Sequence, residues 1–175
     1  MSEAVAVRSS RSAQWSPAAI ARLIALLLPA ALLGGALGSQ YLGGLHPCEM
    51  CYWQRWPHGA AIVIALLSFT GPASSPRSRT LVLLATLAIA ISGCIGVYHA
   101  GVEAKIFEGF TQCTATARAT NTADLLKQIV HAPLVRCDEV QFRFLGISMA
   151  GWNAILSLGG AAVILVLTLR GAKRT

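Results

Sequence analysis

The sequence predicts an all-α membrane protein: an antiparallel four-transmembrane-helix bundle with a short amphipathic helix in its second outer loop. Three observations carry that expectation. The apolar fraction is 55% and only 12% of residues are charged, against roughly 45–50% and about 25% in soluble domains. Mean hydropathy is +0.61. The chain also divides into apolar runs of spanning length separated by short charged turns, which is how polytopic membrane proteins read. At 175 residues there is room for several spans and a connecting loop in a single membrane domain, and not for two independent globules.

Taken in order, residues 1–22 hold Arg8, Arg11 and Arg22 against a single acid, Glu3, and read as a tail ending in a cationic anchor. Residues 23–45 carry no formal charge. Their length suits a spanning helix of about 20 residues better than a leader core of roughly 7–15. Ala36-Leu37-Gly38 does resemble a small-x-small cleavage site, so a cleaved leader stands as the alternative. Ala30, Gly34 and Gly38 recur every four residues and predict close approach by a neighbouring helix. The next clean apolar run, 59–70, rises only about 18 Å, roughly 12 Å short of the hydrocarbon core. The second span must therefore reach back to Cys51 and covers 51–70. Arg77 and Arg79 mark the turn at 71–79.

The third span is expected at 80–102, with His99 near its far end and a small-residue repeat at Ser92, Gly96 and Ala100. Cys94 lies within it and is expected to be an inert core residue. The polar stretch 103–144 contains Cys113 and Cys137. Between them Leu125, Leu126, Ile129 and Val130 at helical spacing, with Asn121 or Thr122 as cap, predict a short amphipathic helix on the membrane surface or packed on its loop. The fourth span is expected at 145–169, with Trp152 near its outer end.

Charge orients the bundle. The tail, the 71–79 turn and the C-terminal residues hold eight Lys and Arg against one acid, while the other side holds six against six acids. Basic residues stay inside, so both termini are expected in the cytoplasm. The outer loops, 46–50 and 103–144, then carry their cysteines on the oxidising side, where disulfides persist. The net charge of +7 does not indicate nucleic acid, because no Lys/Arg stripe interleaves with aromatics.

The functional candidate is His-Pro-Cys-Glu-Met-Cys-Tyr-Trp-Gln-Arg-Trp-Pro-His at 46–58. Cys48 and Cys51 form a Cys-x-x-Cys pair, in which a lowered pKa makes one sulfur reactive. On a helix, Arg55 shares a face with Cys51 at i+4 and its charge favours the thiolate. Tyr52, Trp53 and Trp56 suit an interfacial aromatic belt. The competing readings are a structural disulfide, half of a zinc site, or a chance pair. Zinc fits poorly, because the second pair is spaced Cys-x23-Cys and neither His46 nor His58 matches a ligand template. No metal is expected. Four outer cysteines permit three disulfide connectivities.

Pro-Cys-Glu-Met-Cys-Tyr-Trp-Gln-Arg at 47–55, Tyr-His-Ala-Gly-Val-Glu at 98–103 and the long second loop with two spaced cysteines resemble the DsbB family across all four spans. Its members are bacterial inner-membrane proteins that reoxidise the periplasmic disulfide donor DsbA and pass electrons to a membrane quinone. The resemblance implies disulfides Cys48–Cys51 and Cys113–Cys137. It further implies donor attack at Cys113, attack of the released Cys137 on Cys48, and electron donation from the Cys51 thiolate to ubiquinone or menaquinone. Arg55 and His99 are the residues it places at the quinone. It gives Cys94 no role. A branch serving one dedicated thiol oxidase, and a non-catalytic scaffold stapled by disulfides, are the alternatives.

Overall fold

Ser16 opens the first helix, α1 (Pro17–Tyr41), by accepting the Ala19 N–H on its hydroxyl at 3.2 Å, with Pro17 at the first helical position. Ser75 and Pro76 repeat the device at α3 (Pro76–Glu103). Between them lies α2 (Glu49–Ser68), capped by Cys48, and the last helix is α4 (Met149–Ala172). The computed structural model describes residues 16–109, 121–123, 126 and 135–172.

Helices α1, α3 and α4 are long and apolar enough to cross a membrane. Helix α2, 20 residues and so about 30 Å long, carries Gln54, Arg55 and His58. Gln54 and His58 are buried, so these polar groups face neighbouring helices and not lipid. Consecutive helices pack side by side, and α4 closes the ring against both α3 and α1. The result is an all-α, antiparallel four-helix membrane bundle.

The core is built from small side chains, with Ala21, Ala25, Ala61, Ala65, Ala85 and Ala161 around Val82, Ile89 and Ile164. Within a bilayer, close helix packing replaces the hydrophobic drive available in water. Gly96 shows how close the approach is: a Cβ there would lie 3.0 Å from the Ala150 carbonyl oxygen and from the Ala154 nitrogen. The expected stripe on α1 is not used in this way. Nothing lies within 4 Å of a Cβ at Gly34 or Gly38, and the buried face of α1 is instead Ala21, Ala25 and Pro29. Both stripes have four-residue spacing, and spacing alone does not choose between them. Cys94 also departs from expectation, since it is exposed on the outer surface of α3 and not in the core.

Arg22 fastens the turn between α2 and α3. Its Nη1 donates to the carbonyls of Ser68 (3.1 Å) and Gly71 (2.9 Å), and its guanidinium lies 4.2 Å over the Phe69 ring. A cation is thereby set at the C-terminal, negative end of α2. Before α4 the chain makes a small antiparallel hairpin, β1 (Arg143–Phe144) and β2 (Ile147–Ser148), with Arg143 opposite Ser148. Leu145 and Gly146 have φ of 51° and 81°, as a two-residue type I′ turn requires. The apolar run expected to open the fourth span at 145 therefore begins as a hairpin, and the helix starts at Met149. Cys113 and the expected amphipathic helix, apart from its cap candidates Asn121 and Thr122 and from Leu126, lie outside the described residues.

Candidate active site

The first turn of α2 organises the site. Cys48 has extended backbone, and its sulfur accepts the Cys51 N–H at 3.3 Å, so a thiol serves as the helix cap. The helix N-terminus places partial positive charge beside both sulfurs. Cys48 Sγ and Cys51 Sγ are 2.9 Å apart, within a small rotation of the roughly 2.05 Å of a bonded pair.

Two further residues converge on Cys48. Cys137, fully buried although it comes from the segment between α3 and α4, hydrogen-bonds it, and His99 Nε2 lies 3.6 Å from its sulfur. Met50 and Val102 seal this cluster. The hydrogen bond with Cys137, then that with Cys51, then burial, push the Cys48 thiol far above its ordinary pKa. Cys48, Cys51 and His99 also offer three ligand atoms within 4.8 Å of one another, a set able to hold a soft metal ion.

Cys137 is held in place by its neighbours. Asp138 accepts from Arg136 Nε and Nη2, both at 2.9 Å, and from Lys105 Nζ at the end of α3. The Arg136 and Lys105 cations hold the Asp138 carboxyl well below its ordinary value.

Arg55 lines the same cavity as Cys51, but its described hydrogen bonds go to α1: Nη1 donates to Gln40 Oε1 at 2.5 Å and Nη2 to the Ala36 carbonyl at 3.1 Å. The cavity has a volume of 310 Å³ and runs from the cysteines down between α1, α2 and α4. Leu32, Gly35 and Ala36 form its apolar wall, and Arg55, His58 and Trp152 contribute polar edges.

Gln54 and Asn153 were not anticipated from the sequence. Gln54 Nε2 donates to the Met50 carbonyl and to His99 Nδ1 (2.8 Å), while its Oε1 accepts from Asn153 Nδ2 (2.8 Å). Asn153 also donates to the Ser92 carbonyl, and its Oδ1 faces His58 Nε2 at 2.9 Å. The available signal was their position, because uncharged polar groups inside spanning segments face the bundle interior and mark function.

A ring of membrane helices with a dithiol at the N-terminal end of one, and a loop cysteine docked on it, defines a membrane protein of thiol–disulfide exchange. The model of the family "Disulfide bond formation protein DsbB" matches residues 18–167. A Disulfide bond formation protein B of Methylococcus capsulatus is 32% identical over 82% of this chain and 90% of its own length. One from a Polaromonas species is 30% identical over 87% and 93%. An uncharacterised protein of Rickettsia prowazekii is 25% identical over 79% and 81%. No solved structure matches the chain. The chain belongs to the DsbB family, and is thereby a multi-pass membrane oxidoreductase of disulfide bond formation.

Proposed function

We propose that the chain oxidises the dithiol of a periplasmic DsbA-like thiol oxidase and delivers the electron pair to a membrane quinone. The observation that carries this reading is the contact of Cys137 with Cys48 at the mouth of a cavity walled by apolar side chains. Such a cavity, with Arg55 and the buried Nδ1 of His58, which has no partner among the described residues, among its polar groups, fits an apolar ring bearing two oxygens.

The donor thiolate attacks the Cys113–Cys137 disulfide at Cys113, and Cys137 leaves with the electron pair. Cys137 then attacks Cys48. The Cys48–Cys51 bond breaks, and Cys51 becomes a thiolate at the α2 N-terminus. The donor's second thiol displaces Cys113, and the donor leaves as a disulfide. Cys113 attacks Cys137, re-forming Cys113–Cys137 and freeing Cys48. Closing Cys48–Cys51 again releases two electrons and two thiol protons. A bound quinone, ubiquinone or menaquinone, supplies the two-electron, two-proton acceptor. Arg55 supplies positive charge beside Cys51, and His99 donates from Nε2 toward the Cys48 sulfur and the Cys137 carbonyl.

Energetics require such an acceptor. A DsbA-like donor near about −120 mV is roughly 80 mV more oxidising than a glutathione-like pool near about −200 mV, so that pool would reduce the donor by ~4 kcal/mol. The deciding experiment is quinone reduction by the purified protein supplied with a reduced DsbA-like dithiol. Turnover that disappears in Cys51→Ser supports the reading. Intact disulfides with no quinone reduction would leave a scaffold.

A further inference from the structure

His58 Nδ1 is fully enclosed and has no hydrogen-bond partner among the described residues, although the side chain is 3% exposed and lines the cavity beside Cys51 and Arg55. The surrounding network determines which nitrogen carries the proton. Asn153 is oriented by the Ser92 backbone carbonyl, which can only accept and therefore faces Nδ2. Asn153 Oδ1 is then the atom at His58, where it also accepts from Ser157. The Ser92 hydroxyl gives its one proton to the Gln54 carbonyl and meets His58 as an acceptor. Both groups facing Nε2 are acceptors, so Nε2 holds the hydrogen and Nδ1 is a bare lone pair. A buried acceptor with no donor carries a desolvation penalty, which a donor arriving in the cavity would relieve.

Resting on the quinone reading above, we propose that His58 Nδ1 accepts a hydrogen bond from a hydroxyl of the quinol, so that this site binds the reduced carrier in preference to the oxidised one. A quinone offers only acceptor oxygens and cannot satisfy a lone pair. A quinol offers two O–H donors. In the overall step, Cys48 and Cys51 lose two electrons and two protons as their disulfide forms, and the quinone gains both. The new hydroxyl proton then points at Nδ1, and His58 ends with the charge it had at the start. Preference for the quinol raises the potential of the bound couple by about 30 mV for each tenfold in affinity, which pulls electrons out of a strongly oxidising dithiol.

The test uses full-length protein in detergent, with decylubiquinone and decylubiquinol titrated separately and binding read from quenching of the fluorescence of the cavity-lining Trp152 and its neighbours. The wild type is expected to bind the quinol more tightly. His58→Gln keeps a donor for Asn153 but removes the acceptor at Nδ1. It should weaken quinol binding about tenfold and change quinone binding less than twofold. His58→Asn, whose carboxamide oxygen falls near the Nδ1 position, should restore most of the preference. Equal weakening of both forms, or unchanged quinol binding, would overturn the role of His58. Binding of neither form by the wild type would overturn the quinone reading itself, and this inference with it.

Discussion

Arg55 is a cation close to the edge of the lipid, and its two hydrogen bonds to α1 fix where its charge points. A planar fork can hold Gln40 and the Ala36 carbonyl and still present its remaining N–H groups to the cavity, which a single ammonium cannot do. Arg55→Ala should slow quinone reduction roughly ten- to a hundred-fold, the equivalent of one charge-assisted hydrogen bond of about 1.5–3 kcal/mol. Arg55→Lys should recover only part of that loss. Single-turnover exchange between the donor and Cys113–Cys137 should continue near the normal rate, since that chemistry lies in the other loop. Measuring both reactions decides the matter. An equal loss in both would signal misfolding, and no loss in either would reduce Arg55 to an interfacial anchor. Cys48, Cys51 and Arg55 were legible in the sequence because they lie within two helical turns. Gln54 and Asn153 were not, because their bonds to His99 and to each other span 45 and 99 residues, and no local pattern reports a partner that distant.

Among the elements, the segment carrying Cys137 depends on charges outside the bilayer. Asp138 ties it to α3 through Lys105 and to itself through Arg136. With a folded-state pKa depressed below the usual value near 3.9, the carboxylate stabilises docking fully above that value and loses its effect as pH falls through the lower, folded one. Docking should therefore be constant from about pH 5 to 8. Such solvent-facing pairs are each worth roughly 0.2–1 kcal/mol. In the reduced protein, Asp138→Asn should thus let 4,4′-dithiodipyridine reach Cys137 about two- to tenfold faster at pH 7. The gap between variant and wild type should begin to narrow below about pH 4 and close only once pH has fallen through the depressed, folded value. A gap that persists there would show that the ion pairs do not hold the segment. The elements themselves were legible unequally. Apolar runs announced α1, α3 and α4, whereas the Leu145–Gly146 turn was hidden inside such a run, because a leucine at positive φ gives no turn signal. The α1 contact face is hidden for a related reason, since the helix bears two small-residue stripes and only the packed structure selects one.

For the molecule as a whole, the all-α membrane bundle follows from composition, yet α2 would be passed over by hydropathy alone. Its polar groups become tolerable only because three other helices surround them. The orientation inferred from Lys and Arg has a direct test. A fluorescent protein fused after Thr175 should fluoresce from the cytoplasm, while alkaline phosphatase inserted within 103–144 should be active. The reverse pattern would place the dithiol in a reducing compartment and remove the basis for a disulfide-generating role. The interior chain from His99 through Gln54 and Asn153 to Ser92 and His58 joins three helices, each polar group completing the next. Replacing one member alone strands its neighbours' donors and acceptors in a medium without water. Over evolutionary time these positions are bound to change together. A lineage that trades Asn153 for an apolar residue should also have traded His58, so that five scattered positions are inherited as a single character.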